Sequence, residues 1–190
     1  MAKFEIRNLD SLDTRDAKFP PELVKALYEL QVKSILDIGC GSGWLCDYMP
    51  KGARYLGFDR NQTAIENALK LHPEGQFLCT TIEALASGAY DTFTQDKFDC
   101  AFLKCIFCVV EPERIQDIIS VINKMVSKYV MLYDTEKQPG FWSTPFQAEG
   151  YHLIFNHMRG GMVDNKLGKA TYAVSRIPSF VQIWSVEHAK

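Results

Sequence analysis

Four residues at alternate positions, Asp37, Gly39, Gly41 and Gly43, close the run Ser34-Ile35-Leu36-Asp37-Ile38, and an apolar pattern restarts at Trp44-Leu45. A short apolar run that ends in an acidic residue and a glycine cluster reads as a buried strand, a tight turn and the start of a helix. Glycine serves such a turn in two ways: it takes positive φ without strain, and it lets a ligand come within contact distance of the main chain. A helix that begins near Gly43 offers free N–H groups to that ligand. The chemistry this spacing points to is binding of a nucleotide-like molecule.

A second carboxylate, Asp59, closes the run Arg54-Tyr55-Leu56-Gly57-Phe58-Asp59, 20 positions after Gly39. Its carboxylate geometry suits a vicinal diol; the plain alternative is an ordinary strand-end or helix-cap residue. The glycine spacing separates the candidate ligands. A nicotinamide or flavin fingerprint wants Gly-x-Gly-x-x-Gly/Ala, the last small residue allowing close packing of helix on strand. Here Trp44 stands at that place, too bulky for the role, and Gly43 falls one residue earlier. No lysine sits at a phosphate-loop position. A ligand without a pyrophosphate fits better.

Other reactive side chains are weighed in turn. Cys100, Cys105 and Cys108 match the C-x4-C-x2-C part of a plant-type iron–sulfur spacing. Cys100 lies inside a predicted strand and no cysteine follows Cys108, so packed or loop thiols are the preferred reading and no metal site is assigned. Cys40, Cys46, Cys79 and Cys100 fall in stretches read as buried strands or their edges, where cysteine acts as a small hydrophobe. His152 and His157 titrate near neutral pH and are candidate bases; five residues apart, they do not share one helix face closely. Solvated or structural roles compete with that reading. Phe141, Trp142, Phe146, Tyr151 and Phe155 are candidates to wall an apolar or aromatic acceptor, against the equally weighted reading that they pack a cover onto the sheet.

The elements that must position these residues follow from periodicity. Residues 1–19 read as an irregular arm. Pro20-Pro21 opens a helix with apolar residues at 23, 24, 27, 28 and 30. Strands are expected at 33–38, 54–59, 76–80, 97–104 and 129–134. Between them lie helices at 44–49, after the cap residue Asn61, around 83–86, and after Pro112 with Ile115, Ile118, Ile119, Ile122, Met125 and Val126 on the buried side. Strands alternating with helices indicate a parallel sheet covered on both faces. Residues 136–168 break the alternation and are read as a cover over the site, with a helix somewhere in 145–158. A closing hairpin is expected from strands at 169–177 and 180–186, making the last strand antiparallel.

Composition sets the outer limits. A chain of 190 residues supports one domain, and 47% hydrophobic with 23% charged residues is a globular balance. A net charge of −2 without a basic block argues against DNA or other large nucleic acids. No run approaches the ~20 apolar residues of a membrane span, and the charged N-terminal segment is unlike a secretory signal. A cytoplasmic monomer or homodimer is the expectation.

Over residues 33–135 the sequence resembles the class I S-adenosylmethionine-dependent methyltransferases in their Asp-x-Gly-x-Gly-x-Gly form. The resemblance implies a three-layer Rossmann-like α/β sandwich, a mostly parallel seven-stranded sheet with an antiparallel C-terminal hairpin. It also implies S-adenosylmethionine as cofactor, leaving as S-adenosylhomocysteine. Asp37 would hold the amino end of the cofactor, Gly39, Cys40, Gly41 and Gly43 would line the methionine path, and Asp59 would accept the ribose hydroxyls, with Arg60 flanking the adenosine. After the third strand the family usually places an acidic residue on the adenine amino group and then an apolar residue on the ring. Thr81 and Ile82 stand there, a departure for Thr81, with Glu83 as an alternative acceptor. Lys104 ends the fourth strand beside the methyl group and serves as a further cofactor contact or candidate base. The Asn/Asp-Pro-Pro-Tyr/Phe motif of nucleobase amino-methylation, the Pro-Cys nucleophile and the acidic pair for Mg²⁺ are missing, Asp134 being the one acidic residue at the last of these. The implied activity is methyl transfer to a small molecule; a protein or RNA acceptor, or an inactive cofactor-binding scaffold, are the alternatives.

Overall fold

The computed structural model describes residues 21–90, 96–107, 109–135, 143–159 and 179–186. Seven strands form one sheet: β1 (Ser34–Ile38), β2 (Arg54–Asp59), β3 (Gln76–Cys79), β4 (Phe98–Lys104), β5 (Val126–Thr135), β6 (His152–Arg159) and β7 (Ser179–Ser185). Their order is β3-β2-β1-β4-β5-β7-β6. Pairs among β1 to β5 are parallel, while β7 runs antiparallel to both of its neighbours, β5 and β6. The chain reverses its order of strand addition at β1, so β1 and β4 flank the crevice in which open α/β sheets take their ligands.

Among the described residues five α-helices pack around the sheet: α1 (Pro21–Glu29), α2 (Gln62–Leu71), α3 (Ile82–Ala86), α4 (Ile115–Met125) and α5 (Ser143–Ala148). One core holds Leu23, Val24 and Leu27 of α1 against Ile35, Tyr55, Cys100, Phe102 and Met131 of the sheet. The other holds α3, α4 and α5 against the alternate strand residues Leu36, Ile38, Phe58, Ala101, Leu103 and Leu132. Strand alternation therefore sorts side chains onto an α1 face and an α4 face. On α4 the buried residues Ile115, Ile118, Ile119, Ile122 and Met125 recur at helical spacing; truncating such a residue to alanine costs about 2–5 kcal/mol. At the opposite end of the sheet from the glycine turn, Asp99 accepts from the Lys33 N–H at 2.8 Å and donates its own N–H to Ser34 Oγ at 2.9 Å, which locks β1 to β4.

Three expectations change. Trp44–Tyr48 is a single 3-10 helix, held at its start by the Cys46 N–H donating to the Gly43 carbonyl at 3.0 Å. The stretch read as part of a cover contributes α5 and then β6, so the antiparallel pair joins His152–Arg159 to Ser179–Ser185. Cys79 is exposed and Cys46 half-buried, unlike the buried Cys40 and Cys100. The N-terminal arm, the strand expected at 169–177, Phe141, Trp142 and Cys108 lie outside the described residues.

Candidate active site

The glycine turn leaves β1 with Gly39, Gly41 and Gly43 all at positive φ, 71°, 55° and 76°. Four of its N–H groups are already engaged within the protein. Gly39 and Cys40 both donate to the Phe58 carbonyl at 2.9 and 3.0 Å, and Gly43 donates to the Cys40 carbonyl at 3.0 Å. Gly41 donates to Asp59 Oδ2 at 3.0 Å. A pyrophosphate placed here would find these four donors already taken, which is the physical ground for a ligand of another kind.

Each glycine has its own reason. A Cβ on Gly39 would stand 2.1 Å from Ile106 Cδ1, so the loop after β4 is packed onto the turn. A Cβ on Gly43 would stand 2.9 Å from the Phe77 ring, making Gly43 the close-packing point that the Gly-x-Gly-x-x-Gly pattern would have put at Trp44. Trp44 instead is 37% exposed. A Cβ on Gly41 meets nothing within 4 Å. Of the three glycines in the turn, it is the one whose main chain is open to an approaching molecule.

Two carboxylates flank the turn on the α1 face. Asp59 is held by the Gly41 N–H on one oxygen and by the Asn61 N–H, at 2.9 Å, on the other, leaving lone pairs on both oxygens for a diol. Asp37 is buried and accepts a 2.8 Å hydrogen bond from the Tyr55 hydroxyl. Burial pushes its carboxyl up to about 7; the Tyr55 hydroxyl and the Lys104 charge pull the other way, and Asp59 adds to the rise. A buried carboxyl poised there gains most from a bound cation. Cys40 is a filler: a Cβ on Gly57 would stand 2.7 Å from the Tyr55 hydroxyl and 2.9 Å from Cys40 Cβ and Sγ, so glycine is required at 57 for these groups to meet. Burial pushes the Cys40 thiol well above its ordinary range.

Further along the sheet edge, Arg60 is exposed beside Asp59, and Ile82 is half-buried against the α4-face core. Thr81 is the N-cap of α3, its Oγ1 accepting from the Ala84 N–H at 3.3 Å. Glu83 is bound to Arg114 at 3.2 Å. Its own N–H and the Thr81 hydroxyl hold its carboxyl below the usual range. Both adenine-side candidates thus carry structural duties.

Lys104 pairs with Tyr133 across β4 and β5. The next residue, Cys105, has φ 55° and donates its N–H to the Tyr133 carbonyl at 2.8 Å. The Phe107 N–H donates to Asp134 Oδ2 at 2.7 Å in a buried contact. Neither Asp134 nor Tyr55 was assigned from sequence as part of the site. Gly57 inside a strand was the available signal for Tyr55, since such a glycine marks close approach of other groups.

The structure places the two candidate histidines at opposite ends of the sheet. His152 pairs with Ser185, which pairs with Tyr129 and hence Cys100 and Ile35, at the opposite end of the sheet. The backbone of His157 is level with Val181, Tyr133 and Lys104, but three strand spacings, about 14 Å, from β4. Phe146 and Tyr151 are core residues, Phe146 stacking on Trp184 and meeting Tyr151 edge to face. Among the described residues no three His, Cys, Asp or Glu side chains converge as a metal site, and no helix is long and apolar enough to cross a membrane.

A family model described as a methyltransferase domain matches residues 35–128, the span from β1 into β5. The chain belongs to the class I S-adenosylmethionine-dependent methyltransferases. A ubiquinone biosynthesis O-methyltransferase from Bradyrhizobium diazoefficiens is 40% identical over 68 residues, which are 33% of this chain and 26% of that protein. The chain thus matches about a quarter of the length of that curated relative. Among solved structures, the magnesium protoporphyrin IX methyltransferase of Synechocystis PCC 6803 with bound cofactor superposes with a TM-score of 0.63 at 16% identity, covering 86% of this chain and 76% of that one. The PH0226 protein of Pyrococcus horikoshii OT3 gives 0.64 at 14% identity, covering 95% and 94%. At these identities the structures share the methyltransferase fold. The residues of this methyltransferase fit its family's cofactor: the N–H groups of Gly39, Cys40, Gly41 and Gly43 are already engaged, the main chain is open at Gly41, and two carboxyls, Asp37 and Asp59, flank that opening.

Proposed function

We propose that this methyltransferase passes the methyl group of S-adenosylmethionine to a small-molecule acceptor. The observation that carries the reading is the glycine turn, in which the N–H groups of Gly39, Cys40, Gly41 and Gly43 are consumed internally while Asp37 and Asp59 stand on one face beside the opening at Gly41. Asp37 holds the amino end, Asp59 the ribose hydroxyls, and Gly39, Cys40, Gly41 and Gly43 the path between them. Arg60, Thr81 and Ile82 border the adenine. When bound, the cofactor supplies an activated methyl group; the chain has to align donor and acceptor and exclude water. The partial relative named for O-methylation supports a small acceptor.

Calorimetric titration with S-adenosylhomocysteine tests the cofactor site. The wild type binds, Asp59→Ala and Gly41→Val bind at least tenfold more weakly, and NADH does not bind. Absence of wild-type binding, or equal binding by both variants, removes the reading. Turnover against metabolite pools with labelled cofactor then tests the acceptor class; tight binding with product in no pool favours a scaffold over an enzyme.

A further inference from the structure

Asp37, which the reading above sets against the ammonium end of the cofactor, is hydrogen-bonded on one side only. Its Oδ2 accepts from the Tyr55 hydroxyl at 2.8 Å, and its Oδ1 accepts nothing from the described residues. Nor is Oδ1 sealed from solvent, although Asp37 as a residue is only 4% exposed. Fixing one oxygen of a carboxylate sets the direction of the other.

The donor is itself braced. The Tyr55 ring meets Phe77 edge to face at 5.5 Å, and the same Phe77 ring packs 2.9 Å from where a Cβ on Gly43 would stand. On the other side, the hydroxyl and Cys40 fill the space above Gly57, the register partner of Asp37. One ring thus supports both the glycine turn and the tyrosine that holds the carboxyl. Burial pushes the Tyr55 hydroxyl far above its ordinary range, and the Asp37 charge adds to the rise; it is a donor throughout the neutral range.

Other ionisable groups come from each element packed on Asp37. Asp59 of β2 opposes its charge and Lys104 of β4 favours it. The Cys40 and Cys46 thiols, in the turn and in the 3-10 helix after it, are pushed up by burial and by Asp37, so both are neutral. Asp47 of that helix faces His72 at 3.9 Å. Helix α1, over the same face, carries Glu22, Lys25 and Glu29, the last two paired with each other at 3.3 Å. Burial is the largest influence on the Asp37 carboxyl; of the groups that work against it, the Tyr55 hydroxyl acts most strongly, ahead of Lys104.

We infer that Tyr55 is a positioning residue for the cofactor: its hydroxyl turns Asp37 toward the ammonium end of S-adenosylmethionine and keeps the carboxyl charged to receive it. The inference rests on the methyltransferase reading above and adds a residue that acts through another. Pairing with an ammonium requires the ionised carboxyl. Below the carboxyl's midpoint a proton must leave before the pair can form, so affinity falls about tenfold for each pH unit. Without the hydroxyl the ionised form loses a charge-assisted hydrogen bond, and the midpoint moves up.

The test is calorimetric titration of the full chain between pH 5.5 and 8.5 with S-adenosylhomocysteine and with methylthioadenosine, which lacks the amino-acid end. In the wild type the first ligand binds more tightly as pH rises, and the second binds equally throughout. Tyr55→Phe removes one oxygen. It moves the midpoint for S-adenosylhomocysteine up by about one pH unit or more, a loss of about tenfold at pH 6, and leaves methylthioadenosine unchanged. In Asp37→Asn the dependence on pH is gone, and adding Tyr55→Phe changes neither affinity by more than about twofold. Replacement of the tyrosines by 3-fluorotyrosine, whose hydroxyl is the stronger donor, moves the midpoint down, which tests the same hydroxyl should Tyr55→Phe fail to fold. An unmoved midpoint in Tyr55→Phe or in the fluorinated protein overturns the inference while the cofactor site stands. Equal losses of both ligands at every pH overturn it too, since they mark a tyrosine that only supports the fold. If the wild type binds no S-adenosylhomocysteine at any pH, the failure belongs to the methyltransferase reading.

Discussion

The Tyr55 hydroxyl donates to Asp37 Oδ2 at 2.8 Å across β1 and β2, beneath the glycine turn, in a contact between two buried side chains. The bond exists because Gly57 leaves room for it: Gly57 is the register partner of Asp37, and any side chain there would strike Tyr55 or Cys40.

That burial makes Asp37 a cost to the empty fold. Burial pushes its carboxyl up to about 7, from the 3.8 of an aspartate in an open chain. Between those values the folded state holds a proton that the unfolded chain has lost, so stability falls as pH rises from about 4 to about 7 and levels off above. Asp37→Asn keeps an acceptor for Tyr55 and carries no charge. It is expected to flatten that slope and, at pH 8, to match or exceed the wild type in thermal midpoint, while losing at least tenfold in S-adenosylhomocysteine affinity. Thermal melts across pH 4 to 8 with parallel calorimetry check both halves.

Gly39 and Ile106 are coupled. Gly39→Ala places a methyl group 2.1 Å from Ile106 Cδ1 at a backbone of φ 71°, so it is expected to destabilise by about 2–3 kcal/mol, of which roughly 1–2 is the left-handed backbone itself. Ile106→Val removes the struck carbon. In the double variant the steric part of the loss returns and the backbone part stays, a coupling measurable by denaturant unfolding of the four proteins.

Asp134 holds the corner after β4. Asp134→Ala leaves the buried Phe107 N–H without its acceptor and is expected to cost about 1–3 kcal/mol. Asp134→Asn retains an oxygen and costs less. Hydrogen exchange at the Phe107 amide rises in the alanine variant, whereas exchange in β2 and β3 is unchanged.

Much of this layout was legible in the chain. Strands β1 to β4 are short apolar runs bounded by turn residues, and Asn61 caps α2 through the Ala64 N–H as expected of its type; β5 instead follows α4 without a turn, so Val126, expected on the buried side of the helix, opens the strand. β6 was not legible, because Tyr151, Leu153, Ile154 and Phe155 cluster without alternation and the register shifts between Leu153 and Phe155. Phe146 and Tyr151 looked like walls of a pocket; aromatic type alone does not tell a wall from a core stack on Trp184. The glycine spacing located the turn but not the direction of its N–H groups, which depends on Phe58 and Asp59 from a strand distant in sequence.

Thr81 is the remaining departure from the family's pattern, and its geometry says how to restore it. As N-cap of α3 it accepts from the Ala84 N–H, a duty that aspartate performs as well as threonine and alanine cannot. Thr81→Ala is therefore expected to cost about 1 kcal/mol of stability, with little change in S-adenosylhomocysteine binding if the hydroxyl does nothing but cap. Thr81→Asp keeps the cap and adds a carboxylate at the position where the family reaches the adenine amino group. Its unfolding midpoint should match the wild type, and its affinity for both S-adenosylhomocysteine and methylthioadenosine should rise several-fold, since both carry the adenine. A gain confined to S-adenosylhomocysteine would place Thr81 away from the base and leave Ile82 as the sole contact of this loop with the ring.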